Sequence, residues 1–298
     1  MDSIERIPAK TLVTSTKSRE WFGTEYNMNI YKGCCHGCIY CDSRSDCYRV
    51  TDFQRVRVKE NCLEIIRNDL RRKVKRGVVA TGAMSDPYNP FEKELQLTRK
   101  ALMLIDAYSF GAAIATKSDL VLRDADILRD IAGHSPVIVK ITITTPRQDL
   151  ALKVEPQAPS PQRRFDAIKA LTGAGIYTGI LLMPVLPFIE DREEDILELV
   201  EQACQAGARF IYPFFGMTTR PGQREYYLEK LEEAFPGQGL AEKHLSRYGS
   251  RYYCPSPREK KLWQSFEAAC RERGILCRMR DIVRSYRQGY GMEQLSLF

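Results

Sequence analysis

Long apolar runs are missing from this sequence. None approaches the roughly 20 residues that a membrane-crossing helix needs, and the opening MDSIERIPAK lacks the apolar stretch of a secretory signal. Both absences point to a cytoplasmic protein. Internal repeats and low-complexity stretches are absent too, which argues against a repeat array. Outside residues 34–41 no CxxC pair occurs, so the second knuckle of a typical structural zinc site is missing.

What the chain does have is core and thiol. Its 298 residues are 44% hydrophobic and 10% aromatic, enough for one α/β domain with a tail or for two smaller domains. In a reducing compartment its ten cysteines make a poor disulfide framework and a better supply of metal ligands or redox groups. Four of them fall in the eight residues CCHGCIYC, Cys34 to Cys41, on a loop that begins Asn29-Ile30-Tyr31-Lys32-Gly33.

Downstream of that loop, short apolar runs alternate with helical patterns. Helices are expected at 62–75, 95–108, 123–131, 161–173 and 193–205, with strands at 78–81, 112–116, 137–144, 177–183 and 210–215. Counting Met28–Tyr31 as the first strand gives about six βα units, which argues for a parallel sheet. Six falls short of the eight in a closed barrel, so the fold class expected is α/β, a partial (β/α)6 barrel. From about residue 220 the chain reads as a mostly helical C-terminal extension. The corresponding divisions are 1–24, 25–218, 219–288 and a tail at 289–298. In such a fold the cysteine loop, Gly82-Ala83-Met84-Ser85-Asp86-Pro87 and Thr116-Lys117-Ser118 all leave the C-terminal ends of strands and converge on one mouth.

Charge adds a second theme. The formal net charge is +7, and between Arg251 and Arg287 ten Lys/Arg face four acids, with Tyr252, Tyr253, Trp263 and Tyr286 interleaved. Basic residues among aromatics suit a phosphate-bearing partner whose bases can stack. Arginine stems covering apolar surface would give the same pattern.

Thiolates suit zinc or iron–sulfur clusters. The spacing Cys34-x3-Cys38-x2-Cys41 supplies three ligands from one loop, and Cys47 or His36 could complete a zinc site. With an aromatic residue, Tyr40, before the last cysteine, this CxxxCxxC motif resembles the radical S-adenosylmethionine superfamily. The longer run Tyr31-Lys32-Gly33-Cys34-Cys35-His36-Gly37-Cys38-Ile39-Tyr40-Cys41 narrows the resemblance to the spore photoproduct lyase-related proteins, often labelled DNA repair photolyases. Ser85-Asp86-Pro87-Tyr88, Thr116-Lys117-Ser118, Glu155-Pro156 with Arg163-Arg164, and Pro184, Pro187 and Asp191 fit the same family.

The resemblance implies a 4Fe–4S cluster held by Cys34, Cys38 and Cys41, with Cys35 a bystander. It implies that S-adenosylmethionine chelates the open iron and is split by one electron into methionine and a 5′-deoxyadenosyl radical. Lys117 would hold the methionine carboxylate and Tyr40 would approach the adenine. Ser85, Asp86, Thr142 and the backbone near Met183 would complete the cofactor pocket. An electron donor such as ferredoxin or flavodoxin follows from the same chemistry.

Two features bear on the substrate. The family's lyase returns a hydrogen atom from a cysteine just ahead of the Ser-Asp segment, where this chain has Ala83 and Met84. Cys254, in Arg251-Tyr252-Tyr253-Cys254, is the candidate replacement donor. At the C-terminus, Gln294-Leu295-Ser296-Leu297-Phe298 resembles the short peptide by which bacterial replication and repair proteins bind the sliding clamp. The missing cysteine argues against direct transfer of the lyase activity. The C-terminal peptide and the basic, aromatic segment, where the duplex would lie, favour damaged or modified DNA as the substrate. The alternatives are radical chemistry on RNA or protein, and a zinc-stabilised nucleic-acid-binding protein without catalysis.

Overall fold

The computed structural model describes residues 4–290, so Gln294–Phe298 lies outside the described residues. A seven-stranded sheet organises the chain. Its strands are Val13–Ser15 (β1), Tyr26–Met28 (β2), Val78–Thr81 (β3), Gly111–Thr116 (β4), Val137–Thr142 (β5), Thr178–Leu182 (β6) and Ile211–Pro213 (β7). They lie in the order β7-β6-β5-β4-β3-β2-β1, with β2 to β7 parallel and β1 antiparallel at the edge. Among the described residues the two edges do not pair, and the barrel is partial.

The parallel strands are joined through Cys62–Arg72 (α1), Leu97–Ala107 (α2), Ala125–Ala132 (α3), Pro161–Gly173 (α4) and Glu193–Gln205 (α5). Helix α4 illustrates why the boundaries fall where they do. Ser160 caps it by accepting from the backbone of Arg163, and Pro161 at its first position has no amide to satisfy.

Strand residues alternate strictly between two buried faces, as a sheet covered on both sides requires. Val79, Ala112, Ile114, Val139, Ile141, Ile180 and Leu182 meet the helices. Val78, Ala80, Ala113, Ile138 and Leu181 face the concave lumen, where Phe22, Phe210, Ile282 and Tyr286 fill the N-terminal end. Burying each such large apolar side chain contributes about 1.5–3 kcal/mol.

The C-terminal extension comprises Gln223–Ala234 (α6), Leu240–Tyr248 (α7), Glu259–Glu272 (α8) and Met279–Tyr286 (α9). It is stitched into the barrel. Leu276 bridges Phe210 in parallel, prolonging the sheet beyond β7. Tyr286 Oη donates to the Phe22 carbonyl at 2.7 Å and Arg287 Nη2 pairs with Glu25 at 2.8 Å, so α9 reaches across to the chain that leads into β2. The seam is spanned at its base by sequence from both ends of the described chain.

One expectation needs correction. The run Met28–Tyr31 is not one strand: β2 ends at Met28, and Tyr31–Lys32 pairs instead with Arg57–Lys59 and, through it, Glu5–Ile7 in a separate small sheet. No helix among the described residues is long and apolar enough to cross a membrane.

Candidate active site

The cysteine loop is clamped from both sides. Cys34 N–H donates to the Phe53 carbonyl at 2.8 Å, Ile39 N–H to that of Val154 at 3.0 Å, and Gln157 N–H to that of His36 at 3.0 Å. Gly33, at φ +84°, passes so close to the 53–55 backbone that an added Cβ would lie 2.5 Å from the Arg55 carbonyl oxygen. Only glycine satisfies both the dihedral and the approach. Ser85 Oγ donates to the Gly33 carbonyl, and Gln223 Nε2 to that of Tyr40 at 3.1 Å.

Within this clamp Cys34, Cys38 and Cys41 sit near enough to oppose one another's ionisation. Burial is the largest effect and pushes the Cys34 thiol up to about 12, with the charges of Asp86 and Cys41 adding to it. Cys38 and Cys41 are likewise raised, first by burial, while the Lys117 charge opposes the rise in both. The Cys35 thiol feels no other cysteine; it lines a cleft on the outer side of the loop with Gly37, Ile39 and Pro156. The loop thus sets Cys34, Cys38 and Cys41, whose charges act on one another, apart from Cys35 in the outer cleft.

A positive charge suits three thiolates, and one is present. Lys117 Nζ stands 3.8 Å from Glu155 and 5.6 Å from the Tyr40 ring centroid. Burial works against its charge, but Cys38 and Glu155 together hold its pKa above the ordinary lysine value. Among the described residues its ammonium makes no hydrogen bond, so its three N–H donors remain available at the mouth. Such a group can hold a carboxylate. The hydroxyl of Thr142, also on the lumen side, likewise makes no hydrogen bond among the described residues, while the Thr142 carbonyl accepts from Arg164 at 2.9 Å.

Beneath Lys117 lies a buried polar network. The Tyr40 hydroxyl donates to Glu155, whose carboxylate pairs with Arg164 at 2.5 Å. Burial opposes the charge on Glu155, yet Arg164 and Lys117 hold the carboxyl below the usual range. Glu190 lies nearby, accepting from Thr144 Oγ1 at 2.7 Å and Leu186 N–H at 3.0 Å; burial lifts its pKa to about 8.

The remaining expected site residues take varied positions. Both oxygens of Asp86 are engaged by the protein, with Thr116 Oγ1 at 2.6 Å, the Lys117 amide at 2.8 Å and His36 Nδ1 at 3.4 Å. It organises the mouth by tying the cysteine loop to the end of β4. Ser85, through its bond to Gly33, does similar work. Met183 packs, half-buried, against the lumen. Cys254 is fully buried in the apolar cluster that contains Cys38, Tyr40, Tyr227 and Tyr248, with its thiol 3.7 Å from Thr219 Oγ1. Gln294 to Phe298 lie outside the described residues.

The residues fit an iron–sulfur cluster better than zinc. Among the described residues no three His, Cys, Asp or Glu side chains converge on a single metal ion, as a tetrahedral zinc would require. A cubane distributes its ligands over separate irons. The two candidates for a fourth zinc ligand are also turned elsewhere, His36 toward Asp86 and Cys47 toward Arg220 at 3.3 Å.

The basic C-terminal segment is less open than its composition suggests. Lys261 pairs with Glu193, Arg273 with Glu201, Arg278 with Glu267 and Arg287 with Glu25, while Tyr248 and Tyr286 are buried. Exposed aromatics gather instead by the end of β7. Tyr253 stacks on Phe214 at 5.6 Å, and the Arg220 guanidinium lies 5.0 Å from the Tyr252 ring and 5.9 Å from that of Tyr48.

Comparisons with known proteins agree with this geometry. The model of the radical SAM superfamily matches residues 28–200. The uncharacterized protein Rv2578c of Mycobacterium tuberculosis is 33% identical over 241 residues, covering 78% of this chain and 70% of its own. Among solved structures, a spore photoproduct lyase variant with bound AdoMet and dinucleoside spore photoproduct superposes with a TM-score of 0.65 at 19% identity, covering 89% of this chain and 78% of that one. The radical S-adenosylmethionine methyltransferase TsrM from Kitasatospora setae, with cobalamin and a 4Fe–4S cluster bound, gives 0.58 at 12% identity, covering 90% and 62%. The chain belongs to the radical SAM superfamily, and it is an enzyme of that kind built on the fold seen in spore photoproduct lyase.

Proposed function

We propose that this enzyme holds a 4Fe–4S cluster on Cys34, Cys38 and Cys41, binds S-adenosylmethionine beside it, and abstracts hydrogen from a damaged or modified base in DNA. The observation that carries the cofactor reading is the loop itself: three buried or half-buried thiols close enough for their charges to act on one another, beside the Lys117 ammonium. When bound, the cluster supplies the electron that splits S-adenosylmethionine into methionine and the 5′-deoxyadenosyl radical, which becomes deoxyadenosine on taking a hydrogen atom. Lys117 would hold the methionine carboxylate, Thr142 would donate from its hydroxyl, and Tyr40 would flank the adenine with its own hydroxyl locked on Glu155. Ser85 and Asp86 position the loop and the Lys117 backbone rather than reach the ligand, and Met183 bounds the pocket from the sixth strand.

The DNA reading draws on the rim at Tyr48, Arg220, Tyr252, Tyr253 and Phe214. Aromatic faces with an arginine between them suit unstacked bases, and an enzyme acting on a base must take it out of the duplex. The spore photoproduct lyase structure holds a dinucleoside lesion, which favours the same substrate class here. Cys254 is the proposed source of the returning hydrogen, acting through Tyr227 or Tyr248 because its thiol is covered. Gln294–Phe298 would recruit the sliding clamp, and a small reductant of the ferredoxin or flavodoxin class would reduce the cluster.

A panel of deuterium-labelled DNA, RNA and peptide substrates tests the assignment. Deuterium should appear in deoxyadenosine from modified DNA. Label arriving from RNA or peptide alone would reject the DNA reading. Retention of the sliding clamp by the full chain, lost on deleting residues 294–298, tests recruitment separately.

A further inference from the structure

A cleft of about 540 Å³ lies beside the loop that follows β6, and none of its lining residues serves the cofactor pocket. Four cations from three separate segments line it: Arg192 at the end of that loop, Lys243 and Arg247 on α7, and Arg258 at the start of α8. All four are exposed. Lys243 and Arg247 stand four residues apart, so one face of α7 carries both.

The acids nearby are already occupied. Asp191, the one carboxylate in the wall, is buried and accepts from Ser256 Oγ at 2.6 Å, while its carbonyl takes Arg258 Nη1 at 3.4 Å. Glu193 pairs with Lys261 and accepts from Ser265. Arg192 comes only within 3.8 Å of Glu194 and 4.0 Å of Asp195. Among the described residues Lys243, Arg247 and Arg258 form no ion pair; Lys243 Nζ lies 4.5 Å from the Phe188 ring centroid and the Arg247 guanidinium 5.9 Å from that of Tyr248. Exposed cations usually point apart into water, but these share one concavity, whose low-dielectric walls focus their field. The contrast with Lys261, Arg273, Arg278 and Arg287, which all meet acids, marks the cleft as the place where positive charge is left over.

We propose that this cleft holds a backbone phosphate of a nucleic-acid strand whose bases lie on the rim at Tyr252 and Tyr253. The two surfaces are joined: Tyr248 of α7 donates to the Pro255 carbonyl, and Tyr253, stacked on Phe214, begins the strand Tyr253–Pro255 that leads to Arg258. A phosphodiester supplies the negative charge that four cations and one engaged carboxylate lack. Long exposed side chains reaching in from three segments suit a strand passing across the cleft better than a small ion enclosed by protein. Contacts of this kind fix the position of a strand without reading its sequence. The inference rests on the DNA reading given above for the kind of partner.

The test uses anaerobic holoprotein and short fluorescein-labelled oligothymidylate and oligoadenylate, titrated at a series of salt concentrations. The Lys243→Gln/Arg247→Gln variant should bind both strands about tenfold more weakly or worse, while keeping its cluster and its S-adenosylmethionine affinity. Its plot of log affinity against log salt should be shallower by about 0.7 for each charge removed. Arg67→Gln/Arg71→Gln, which removes the same charge from exposed positions on α1, should bind as the wild type does. An equal loss in that control, or a loss with an unchanged salt slope, overturns the cleft as a phosphate site. Calorimetry with inorganic phosphate separates the sources: tight binding that the cleft variant loses, with no effect on either strand, assigns a free anion and overturns the backbone assignment. Equal strand binding by wild type and cleft variant rejects the cleft and keeps the DNA reading, whereas strand binding by neither rejects the DNA reading itself.

Discussion

The hydroxyl of Tyr40 donates to Glu155, the carboxylate that also forms a 2.5 Å pair with Arg164. Tyr40 stands between two expected cluster ligands, so the orientation of the loop is geared to a buried ion pair on the far side of the mouth. Glu155→Ala would leave the Arg164 guanidinium, only 1% exposed, without its counter-charge. We expect a loss of about 3–5 kcal/mol, read as a lowered urea midpoint, the penalty typical of breaking a buried pair from one side. Tyr40→Phe keeps the ring and removes one charge-assisted hydrogen bond, so its cost should be smaller, about 1.5–3 kcal/mol.

Gly82 sets the second loop of the mouth. Its φ is +96°, and a Cβ there would stand 1.9 Å from the Ala115 carbonyl oxygen, which is backbone and cannot turn aside. Gly82→Ala should destabilise the fold by more than about 3 kcal/mol, at the severe end of single substitutions. Gly175→Ala, also at positive φ but with open space around it, should cost about 1 kcal/mol. Thermal midpoints of the two variants would discriminate crowding from dihedral strain.

Acid sensitivity should trace in part to His244. The ring is buried between Tyr227 and Tyr248, neither nitrogen has a partner among the described residues, and burial lowers its pKa from 6.5 to about 4. The unfolded chain therefore binds the proton first as pH falls. The histidine's contribution is fully present above pH 6.5 and is lost progressively toward pH 4, by up to about 3 kcal/mol. His244→Phe should flatten the stability profile across that window in denaturant titrations at a series of pH values. An unchanged slope would mean the imidazole is hydrated in solution.

Lys117 is expected to act on the ligand rather than on the fold. Lys117→Met removes a charge that is already opposed by burial, so the cluster should still assemble. Affinity for S-adenosylmethionine should fall tenfold or more, measured by equilibrium dialysis under anaerobic conditions. Equal affinity in the variant would assign the carboxylate to another donor.

Much of this was legible in the sequence, because periodicity survives wherever one face of an element is buried. Helices α4 and α5 match the expected 161–173 and 193–205, strands β3, β5, β6 and β7 fall within the apolar runs that suggested them, and β4 starts one residue earlier, at Gly111. The misread element was Met28–Tyr31, where unbroken alternation of apolar residues with Asn27 and Asn29 hides a change of partner sheet. Edge strand β1 was invisible because three residues with one buried side chain carry no pattern. In the site, motif spacing singled out the cysteines expected to hold the cluster but not the buried pairing of Glu155 with Arg164. Their pairing joins residues nine apart through the turn before α4, and only tertiary structure reveals that Tyr40 completes it. In the basic C-terminal run, counting charges cannot tell which of them meet acids on other elements, as Lys261, Arg273, Arg278 and Arg287 do.

The most direct test is anaerobic reconstitution with iron and sulfide, followed by reduction with dithionite in the presence of S-adenosylmethionine and assay for deoxyadenosine. The wild-type chain and Cys35→Ala should both carry a 4Fe–4S cluster and form deoxyadenosine, whereas Cys34→Ala should do neither. A colourless wild-type protein that holds zinc and yields no deoxyadenosine would contradict the account. So would loss of the cluster in Cys35→Ala with retention in Cys34→Ala.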